Sequence, residues 1–442
     1  MLLLNFTVSN HKSIRDECTL EFMRPSFKKL KPGADDDWSA VTYPVVGVFG
    51  PNASGKSTLI DAFKYAQAAI NHSSTLWQQR PEMVHVPFAL DDESAKGPSS
   101  YEFDWVFEGV RHKYGFTVTP EGIEKEWLLD LPRTRWRTLI DRDRSSESPT
   151  QVRFKEKSGL VAVTRRELIL SRAILLEHEE LTGLGKSLLD GIELAPFGDT
   201  NRERRLASIT DSLLQQEMSF EDLTTLLQVA DIGVRSISVK EDQAPPEAVR
   251  LMKIFAELVD SEAEKIVGEE KRIHIEPLES DAVVRTLEFL HKGRKKDPRA
   301  FGVNEESAGT IVWLSLITPA VEALRYGTML VVDELDNSLH SHLVELVISL
   351  FLNPRINRFG AQLLFTSHDT NLLSPESGFD LEAEQIWFAD KDTDGATEIY
   401  SLADFPHPKD ANFERRYLAG RYGAVPRTAP SLLARVIGSD DS

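Results

Sequence analysis

Alternating apolar and polar residues predict several strands in the first third of the chain. Residues 1–22 alternate in two runs on either side of the charged stretch HKSIRDE, which indicates an N-terminal β-hairpin. Residues 85–140 alternate again around Glu108 and Gly109, and this pattern predicts an antiparallel sheet. Between them, the apolar run PVVGVF at 44–49 is typical of a buried strand, and a helical pattern begins at Lys56.

The rest of the chain predicts a helical segment followed by an α/β pattern. From about residue 165 to 270 the apolar residues recur with a helical period, interrupted by breaks such as APFGD and QAPPE. Helices and apolar strands then alternate: a helix over 307–324, a strand over 329–334, a helix over 340–352, and strands over 362–368 and 385–390. Strands that are apolar on both faces are typical of a parallel sheet covered by helices. We therefore expect an α/β protein with an N-terminal lobe over 1–145, a mainly helical insertion over 146–300 and a C-terminal lobe over 301–442.

Composition narrows the class of protein. Of the 442 residues, 41% are hydrophobic and 27% are charged, which is a globular composition and excludes collagen-like and disordered chains. The formal net charge of −19 argues against a general coat for nucleic acids, which needs an excess of cations. The single cysteine, Cys18, excludes an internal disulfide. The N-terminus lacks a basic region and no apolar run reaches the roughly 20 residues of a membrane span, so we expect a cytoplasmic protein without a membrane partner.

The clearest chemical motif is a phosphate-binding loop at residues 50–57. The sequence GPNASGKS matches the pattern G-x-x-x-x-G-K-S and lies between a predicted strand and a predicted helix. Backbone N–H groups of such a loop surround phosphates, Lys56 reaches the β- and γ-phosphates, and the Ser57 hydroxyl can bind Mg²⁺. The predicted nucleotide-binding residues here are Gly50, Pro51, Asn52, Ala53, Ser54, Gly55, Lys56, Ser57 and Thr58.

A second motif supplies two adjacent carboxylates at the end of the strand predicted over 329–334. Asp333 and Glu334 would be costly at the end of a buried strand unless a cation lies there, and a Mg·ATP complex supplies that charge. Because successive strand side chains point in opposite directions, we assign them different roles. Asp333 binds Mg²⁺, directly or through water, and Glu334 polarises the attacking water. The alternative is a pair of solvated residues at a strand end.

Two further elements complete the predicted site. His368 follows the apolar strand that ends in Thr366 and Ser367, at the rim where α/β sheets bind ligands, so it can contact the γ-phosphate or the attacking water. The alternative is a rim histidine without a role. Small residues after Glu306 open a long helix with Ser307 and Gly309, which predicts either an anion site or a simple N-cap. The expected catalytic residues are Glu334, His368 and Lys56.

Taken together, these motifs resemble those of ABC-type ATPases. GPNASGKS, ESAGT, VVDELDNSLH and FTSHD resemble the Walker A, signature, Walker B with D-loop, and switch-histidine motifs, in the order found in the SMC, Rad and RecF branch of these AAA-family proteins. The opening NFTVSNHKSI and the segment YLAGRYGAVP at 417–426 are similar to the abortive-infection ATPases typified by AbiLi and RloA. The resemblance covers roughly residues 1–140 and 300–426.

The resemblance implies a fold and an assembly. The fold would be an ABC-type P-loop NTPase head with an N-terminal antiparallel β subdomain and an inserted helical subdomain. Two ATP molecules with Mg²⁺ would lie between two heads of a homodimer or higher homo-oligomer, with Ser307 and Gly309 contacting the γ-phosphate bound by the partner chain. Asp336 and Asn337 would lie at the same interface, and Asn10, Lys12 and Ser13 would line the adenine and phosphate side of the pocket. The signature differs from the transporter sequence LSGGQ, and Gln78 and Gln79 are Q-loop candidates by position alone.

The resemblance also implies a biological role for a Mg²⁺-dependent ATPase. It indicates the sensor or regulatory subunit of a bacterial anti-phage system, of the abortive-infection or toxin–antitoxin type, that controls a separate effector. Residues 150–300 contain no obvious metal-ligand cluster, so a toxic activity is expected on another polypeptide, and family analogy suggests a nuclease. The trigger would be a phage-derived protein or a nucleic acid.

Two other functions stay open from the sequence. A DNA-repair or DNA-clamp ATPase of the RecF, Rad or SMC type would use the basic segments RTRWR at 133–137 and HKGRKKDPR at 291–299 to contact phosphates. Charge runs of this kind are more often solvated surfaces. A scaffold that binds ATP without hydrolysing it is the third alternative, and the intact Glu334 argues against it.

Overall fold

A computed structural model describes most of the chain. The described residues are 1–27, 37–144, 151–152, 163–195, 206–207, 209–210, 213–214, 218–230, 233–243, 283–292, 299–408 and 411–425. Within them the strands are β1 Leu2–Ser9, β2 Cys18–Glu21, β3 Val45–Phe49, β4 Ser99–Phe107, β5 Val110–Thr119, β6 Gly122–Leu131, β7 Arg137–Asp143, β8 Gln151–Val152, β9 Ile192–Ala195, β10 Val234–Gln243, β11 Val283–His291, β12 Arg299–Gly302, β13 Met329–Val332, β14 Gln362–Ser367, β15 Ile386–Lys391 and β16 Thr397–Ser401. The α-helices are α1 Lys56–His72, α2 Asp92–Lys96, α3 Ile169–Leu175, α4 Leu181–Asp190, α5 Phe220–Ala230, α6 Ala308–Tyr326, α7 Ser341–Leu352 and α8 Phe413–Leu418. Short 3₁₀ turns lie at Trp38–Val41, Leu76–Gln79, Thr370–Leu373, Ala383–Gln385 and Leu402–Asp404.

The chain divides into two compact units. The first comprises residues 1–197 and 319–442, and the second comprises residues 198–318. The division falls within helix α6, at Pro319.

An antiparallel sheet of seven strands forms one layer of the first unit. Its order is β2-β1-β4-β5-β6-β7-β8, and β1 pairs with β2 through Asn5 and Glu21 as in a hairpin. Alternate residues of β1 face the core, where the Phe6 ring stacks on Phe63 of α1 with ring centroids 3.8 Å apart. The sheet therefore packs against the helix that follows the phosphate-binding loop.

A second sheet of the first unit positions the chemical groups. Its order is β16-β15-β3-β14-β13-β9; the strands from β15 to β9 are parallel, and β16 runs antiparallel to β15. All residues of β3, β13 and β14 are buried, as expected for strands covered on both faces. Parallel strands end at one edge of a sheet, so the segments that follow β3, β13 and β14 meet there. The predicted α/β class is confirmed.

The predicted boundaries of the insertion differ from the observed units. The prediction placed residues 146–300 in the insertion, yet β9 pairs with β13 of the parallel sheet through Ile192 and Met329. Leu170 of α3 and Leu188 of α4 are buried in the main hydrophobic core of the first unit. Helical periodicity identifies such helices but does not reveal which core they pack on, which is why the predicted boundary lies too early in the chain.

The second unit contains strands that the prediction of a mainly helical insertion missed. Among its described residues, β10, β11 and β12 form an antiparallel sheet in which Leu287 and Phe289 are buried. Helix α5 precedes these strands in the chain and α6 follows them. Trp313 of α6 donates a hydrogen bond to the carbonyl oxygen of Leu226 in α5 at 2.7 Å. The apolar alternation in β10 is short and ends in the charged run KEDQ, so its strand signal is weak. The predicted helices over 244–270 lie outside the described residues.

None of the helices within the described ranges is both long and apolar enough to cross a bilayer.

Candidate functional site

The loop between β3 and α1 has the backbone that a phosphate-binding loop requires. Gly55 adopts a φ of 104°, and a Cβ atom there would collide with the side chain of Thr397. A Cβ atom at Gly50 would collide with the carbonyl oxygen of Ala389. Ala53 is also left-handed, with a φ of 64°. The two motif glycines are thus required by close approach of neighbouring strands as well as by the turn itself.

The Lys56 side chain lies along this loop and is almost fully buried. Its Nζ donates to the carbonyl oxygens of Gly50 at 2.7 Å and Pro51 at 2.9 Å. Burial lowers the pKa of Lys56, whereas the carboxylates of Asp336, Glu334 and Asp333 raise it. The ammonium group is therefore held at the loop, within the electrostatic influence of the three carboxylates that follow β13.

Asp333 connects the two predicted halves of the site. Its Oδ1 accepts hydrogen bonds from Ser57 Oγ at 3.1 Å and from Thr366 Oγ1 at 2.7 Å. Ser57 and Asp333 are 276 positions apart in sequence, and the order of β3, β14 and β13 brings them together. A hydroxyl oxygen and a carboxylate oxygen at this spacing are the oxygen ligands that Mg²⁺ takes in proteins, so the pair fits the predicted metal site.

At Glu334 the backbone leaves the extended conformation of β13 and adopts an unusual left-handed conformation. Its φ is 53°, in the left-handed region that non-glycine residues seldom adopt. The Glu334 N–H donates to Thr366 Oγ1 at 2.8 Å, and the next N–H, of Leu335, donates to the carbonyl oxygen of Thr366 at 2.9 Å. These bonds hold the turn, and the Glu334 side chain is exposed at the edge of the sheet. Asp333 and Glu334 therefore occupy different environments, as their different predicted roles require.

His368 lies directly after β14 at the same edge. Its imidazole is half-exposed, and Nδ1 lies 2.9 Å from Oδ2 of Asp336. The Asp336 carboxyl group is buried, with 7% of its side chain exposed. Asn337, predicted beside it, is exposed, and its N–H donates to the carbonyl oxygen of Glu334 at 2.9 Å.

A cleft with a volume of about 630 Å³ opens at this edge. Its lining combines the loop from Gly50 to Ser54 with His368, the strand end from Asp390 to Asp392, and the C-terminal residues Tyr417, Leu418 and Val425. Tyr417 is held by stacking on Phe388, with ring centroids 5.2 Å apart. Segments distant in sequence therefore converge on the phosphate-binding loop.

The three residues assigned to the nucleotide from the N-terminal resemblance have different environments. Asn10 is buried, and its amide donates to the carbonyl oxygens of Ser94, Gly97 and Pro98 while its Oδ1 accepts from the N–H of Phe88. These bonds occupy the side chain with loop packing, which gives Asn10 a structural role.

Lys12 and Ser13 follow in the same turn. Lys12 Nζ pairs with Asp61 of α1 at 2.6 Å. Ser13 Oγ lies 2.9 Å from Thr58 Oγ1 and 2.8 Å from Thr397 Oγ1. Of the three, Ser13 is the one that contacts the residues of the phosphate-binding motif, and it does so through Thr58.

The residues of the predicted signature belong to the second unit. Ser307 Oγ accepts from the N–H of Thr310 at 3.0 Å, which is the N-cap arrangement that the sequence left open as the simpler alternative. Gly309 lies in the first turn of α6. Glu306 pairs with His291, the first residue of the second basic segment.

The Q-loop candidates and the first basic segment are engaged in local structure. Gln78 donates to the carbonyl oxygen of Ser73 at 2.6 Å and accepts from Thr164, and Gln79 is exposed. In the segment RTRWR, Arg137 forms an ion pair with Asp130, and Trp136 packs against the Arg111 guanidinium. Residues 293–298 of the second basic segment lie outside the described residues.

Two threonines that the sequence analysis did not assign hold the site together. Thr366 donates to Asp333 and accepts from the N–H of Glu334, so one hydroxyl orients both carboxylate residues. Thr397 Oγ1 donates to the carbonyl oxygen of Ser54 at 3.0 Å and contacts Ser13 as well. A hydroxyl at the end of an apolar strand next to His368 was a usable signal for Thr366. Thr397 carried none, because it lies 343 positions from its loop partner.

Comparison with known proteins identifies the family to which this site belongs. The family model described as "AAA domain, putative AbiEii toxin, Type IV TA system" matches residues 45–374, a range that begins at β3 and ends just after His368. It includes the phosphate-binding loop, both carboxylates and the histidine. No curated protein matches the chain.

Proposed function

The chain belongs to this family of AAA domains, and from that membership we propose that it is a Mg²⁺-dependent ATPase whose nucleotide site lies at the carboxyl edge of the parallel sheet. The observation that carries the proposal is the contact between Ser57 and Asp333, which joins the phosphate-binding loop to the acidic strand end. AAA-family membership supports nucleotide binding, and the geometry of the edge supports hydrolysis.

Each residue of the edge has a defined task in hydrolysis. Lys56 neutralises the β- and γ-phosphates, and the loop N–H groups surround them. Ser57 and Asp333 would hold Mg²⁺, which when bound neutralises charge on the phosphate oxygens. Glu334 accepts a hydrogen bond from the attacking water and orients it towards the γ-phosphate. His368 faces the same edge and contacts the γ-phosphate or that water.

The assembly we propose is an ATP-dependent association of two heads. The exposure of Glu334 and Asn337 supports it, because groups at an open edge are available to a second chain. The resemblance to ABC-type ATPases assigns Ser307 and Gly309 to the γ-phosphate of a partner chain. Each site would then use the phosphate-binding loop of one chain and the signature of the other.

The biological role we propose is the regulatory subunit of an abortive-infection or toxin–antitoxin-type system. The family description, which names a toxin of a type IV system, supports this class. The resemblance of the opening segment and of residues 417–426 to AbiLi and RloA, which rests on the sequence motifs alone, favours a separate effector, with a nuclease as its class. Arg137 is paired with Asp130, and Trp136 packs against Arg111. These contacts within the chain weaken the DNA-clamp alternative for the first basic segment.

Mixing two inactive variants tests the shared site. Lys56→Ala removes the phosphate ligand and Ser307→Arg obstructs the signature, so each variant alone should lack turnover. In a mixed dimer one of the two sites then has an intact loop and an intact signature. Random mixing should restore about a quarter of the wild-type rate, since half the dimers are mixed and each has one good site.

The same samples provide the controls. Light scattering should show ATP-dependent growth in mass for the wild-type protein, and Ser307→Arg should still bind ATP. A mixture that stays inactive while the wild type hydrolyses ATP would contradict the shared site and leave the ATPase assignment intact. A wild type that neither binds nor hydrolyses Mg·ATP would contradict the ATPase itself.

A further inference from the structure

A buried carboxylate lies beside the exposed histidine of the nucleotide edge. Asp336 is 7% exposed and His368 is 56% exposed, and Oδ2 of the first lies 2.9 Å from Nδ1 of the second. The two atoms form a close ion pair, and because a carboxylate can only accept, a proton held between the two groups lies on Nδ1. The remaining ring nitrogen, Nε2, is then the atom that the histidine presents to a ligand.

The two partners differ in how firmly they are held. Leu335, just before Asp336, is fully buried, and its N–H donates to Thr366 at 2.9 Å. The left-handed turn at Glu334 and the bond from the Asn337 N–H to its carbonyl oxygen enclose the same segment. Asp336 thus sits in a backbone fixed on both sides, whereas the imidazole extends into solvent. The carboxylate is therefore the fixed partner and the imidazole the exposed one.

The second oxygen of Asp336 gives an independent indication of a role in the site. Oδ1 is buried without a hydrogen-bond partner, although most buried polar atoms have one. The unpartnered oxygen lies on the same buried carboxylate whose other oxygen meets the histidine.

We propose that Asp336 is the positioning residue of His368: its carboxylate fixes the imidazole through Nδ1 and directs Nε2, which accepts in that tautomer, at the attacking water. The proposal rests on the ATPase function proposed above. It differs from the role that resemblance to ABC-type ATPases implies, in which Asp336 lies at the interface between heads. A positioning role acts through His368 within one chain, and an interface role acts on association.

A double-mutant cycle separates the two roles. Loss of a carboxylate that orients a functional histidine typically lowers activity by roughly 10–100-fold, so we expect that fall in kcat for Asp336→Ala with KM for ATP nearly unchanged. In a His368→Gln background the same substitution should lower kcat no further, because the imidazole through which Asp336 acts is already absent. Asp336→Asn should recover part of the loss, since its amide oxygen can still accept from Nδ1.

An interface role predicts a different set of results. Asp336→Ala would then weaken ATP-dependent association in light scattering, and its effect on kcat would persist in the His368→Gln background. That outcome would overturn the positioning role, as would an unchanged kcat in Asp336→Ala while the wild type hydrolyses ATP.

A spectroscopic measurement makes the test independent of turnover. Long-range ¹H–¹⁵N correlation at pH 8 on ¹⁵N-histidine-labelled full-length protein reports which ring nitrogen carries the proton, and His368→Gln assigns the signal. We expect the Nδ1–H form in the wild type and a change to the Nε2–H form in Asp336→Ala. An Nε2–H form in the wild type would overturn the proposal whether or not ATP is hydrolysed.

The chain provides a matched control for both measurements. Glu345 and His342 on α7 form another carboxylate–imidazole pair, with Oε2 3.3 Å from Nδ1. Glu345→Gln should leave kcat unchanged within about twofold, because that pair lies outside the site. A fall equal to that of Asp336→Ala would show a general sensitivity to lost charge and would contradict the specific role.

Discussion

The interior of the antiparallel sheet and the carboxyl edge of the parallel sheet both bring carboxylates close to cations, in opposite ways. Inside the sheet, Glu126 and Arg142 are fully buried, and the Glu126 carboxylate accepts hydrogen bonds from Tyr114 OH and the N–H groups of Ile169 and Leu170. At the edge, Glu334 is exposed on a left-handed backbone. Charges that are enclosed in the core serve the fold, and charges held at an open, strained edge serve chemistry.

Substitution inside the sheet should affect stability most. Glu126→Gln leaves the buried Arg142 guanidinium without its counter-charge, and breaking a buried pair in this way costs about 3–5 kcal/mol. Urea unfolding should show this loss, whereas turnover per folded molecule should be unchanged. Asp143→Asn, in the part-exposed pair with Lys125 on the same two strands, is the control and should cost at most about 1 kcal/mol. Equal effects of the two variants would remove the distinction between enclosed and open charges.

A buried histidine of the sheet predicts a dependence of stability on pH. Burial lowers the pKa of His112 from 6.5 to about 4, so the folded state holds the ring neutral. The stabilisation is complete above pH 6.5 and is lost as pH falls towards 4, because the unfolded chain binds the proton first. Relative to His112→Gln, we expect the wild type to lose about 2 kcal/mol of unfolding free energy between pH 8 and pH 5. Parallel urea curves for both proteins measure it, and identical pH profiles would contradict it.

The lysine of the edge should affect binding more than stability. Lys56→Met removes a charged donor to phosphate, worth about 1.5–3 kcal/mol, which raises the dissociation constant of ATP by roughly 10–150-fold. Lys64→Met, two turns further along α1, is the control and should bind ATP as the wild type does. Equilibrium dialysis with labelled ATP distinguishes them. Normal affinity in Lys56→Met would place the nucleotide elsewhere.

The smallest effect on ATP affinity is expected at Thr397, which supports the phosphate-binding loop without being assigned a contact with the nucleotide. Thr397→Val removes the hydroxyl that donates to the carbonyl oxygen of Ser54 and contacts the Ser13 hydroxyl, while keeping the shape of the side chain. One neutral hydrogen bond is worth about 0.5–1.5 kcal/mol, so ATP affinity should fall roughly two- to twelvefold. Thr397→Ser keeps the hydroxyl and should restore the affinity. Equal affinities in the Val and Ser variants would mean that the hydroxyl does not hold the loop.

Local pattern was enough to predict the parts of the site that consist of short, contiguous signals. The phosphate-binding loop, Asp333, Glu334 and His368 each follow an apolar strand, and parallel strands end at one edge, so their convergence could be expected. The roles of Thr366 and Thr397 could not, because a hydroxyl gains its function from partners far away in sequence. Asn10 is different: the family resemblance assigned it to the nucleotide, whereas its side-chain amide donates to loop carbonyl oxygens.

The architecture was predictable to a similar extent. The class follows from strands that are apolar on both faces, as β3, β13 and β14 are. The placement of β9 in the parallel sheet and the sheet of β10, β11 and β12 required long-range pairing that periodicity does not encode. Local signals determine elements, and packing determines the unit to which each element belongs.

Glu334→Gln tests the central claim, that the carboxyl edge hydrolyses ATP, most directly. Turnover at saturating Mg·ATP should be compared with the wild type, alongside ATP affinity and urea unfolding of the same preparations. Loss of a general base typically lowers the rate by roughly 10²–10⁴-fold, so we expect that fall with affinity and stability unchanged. A variant that hydrolyses ATP as fast as the wild type would contradict the assignment of Glu334 and, with it, the chemical role of the edge.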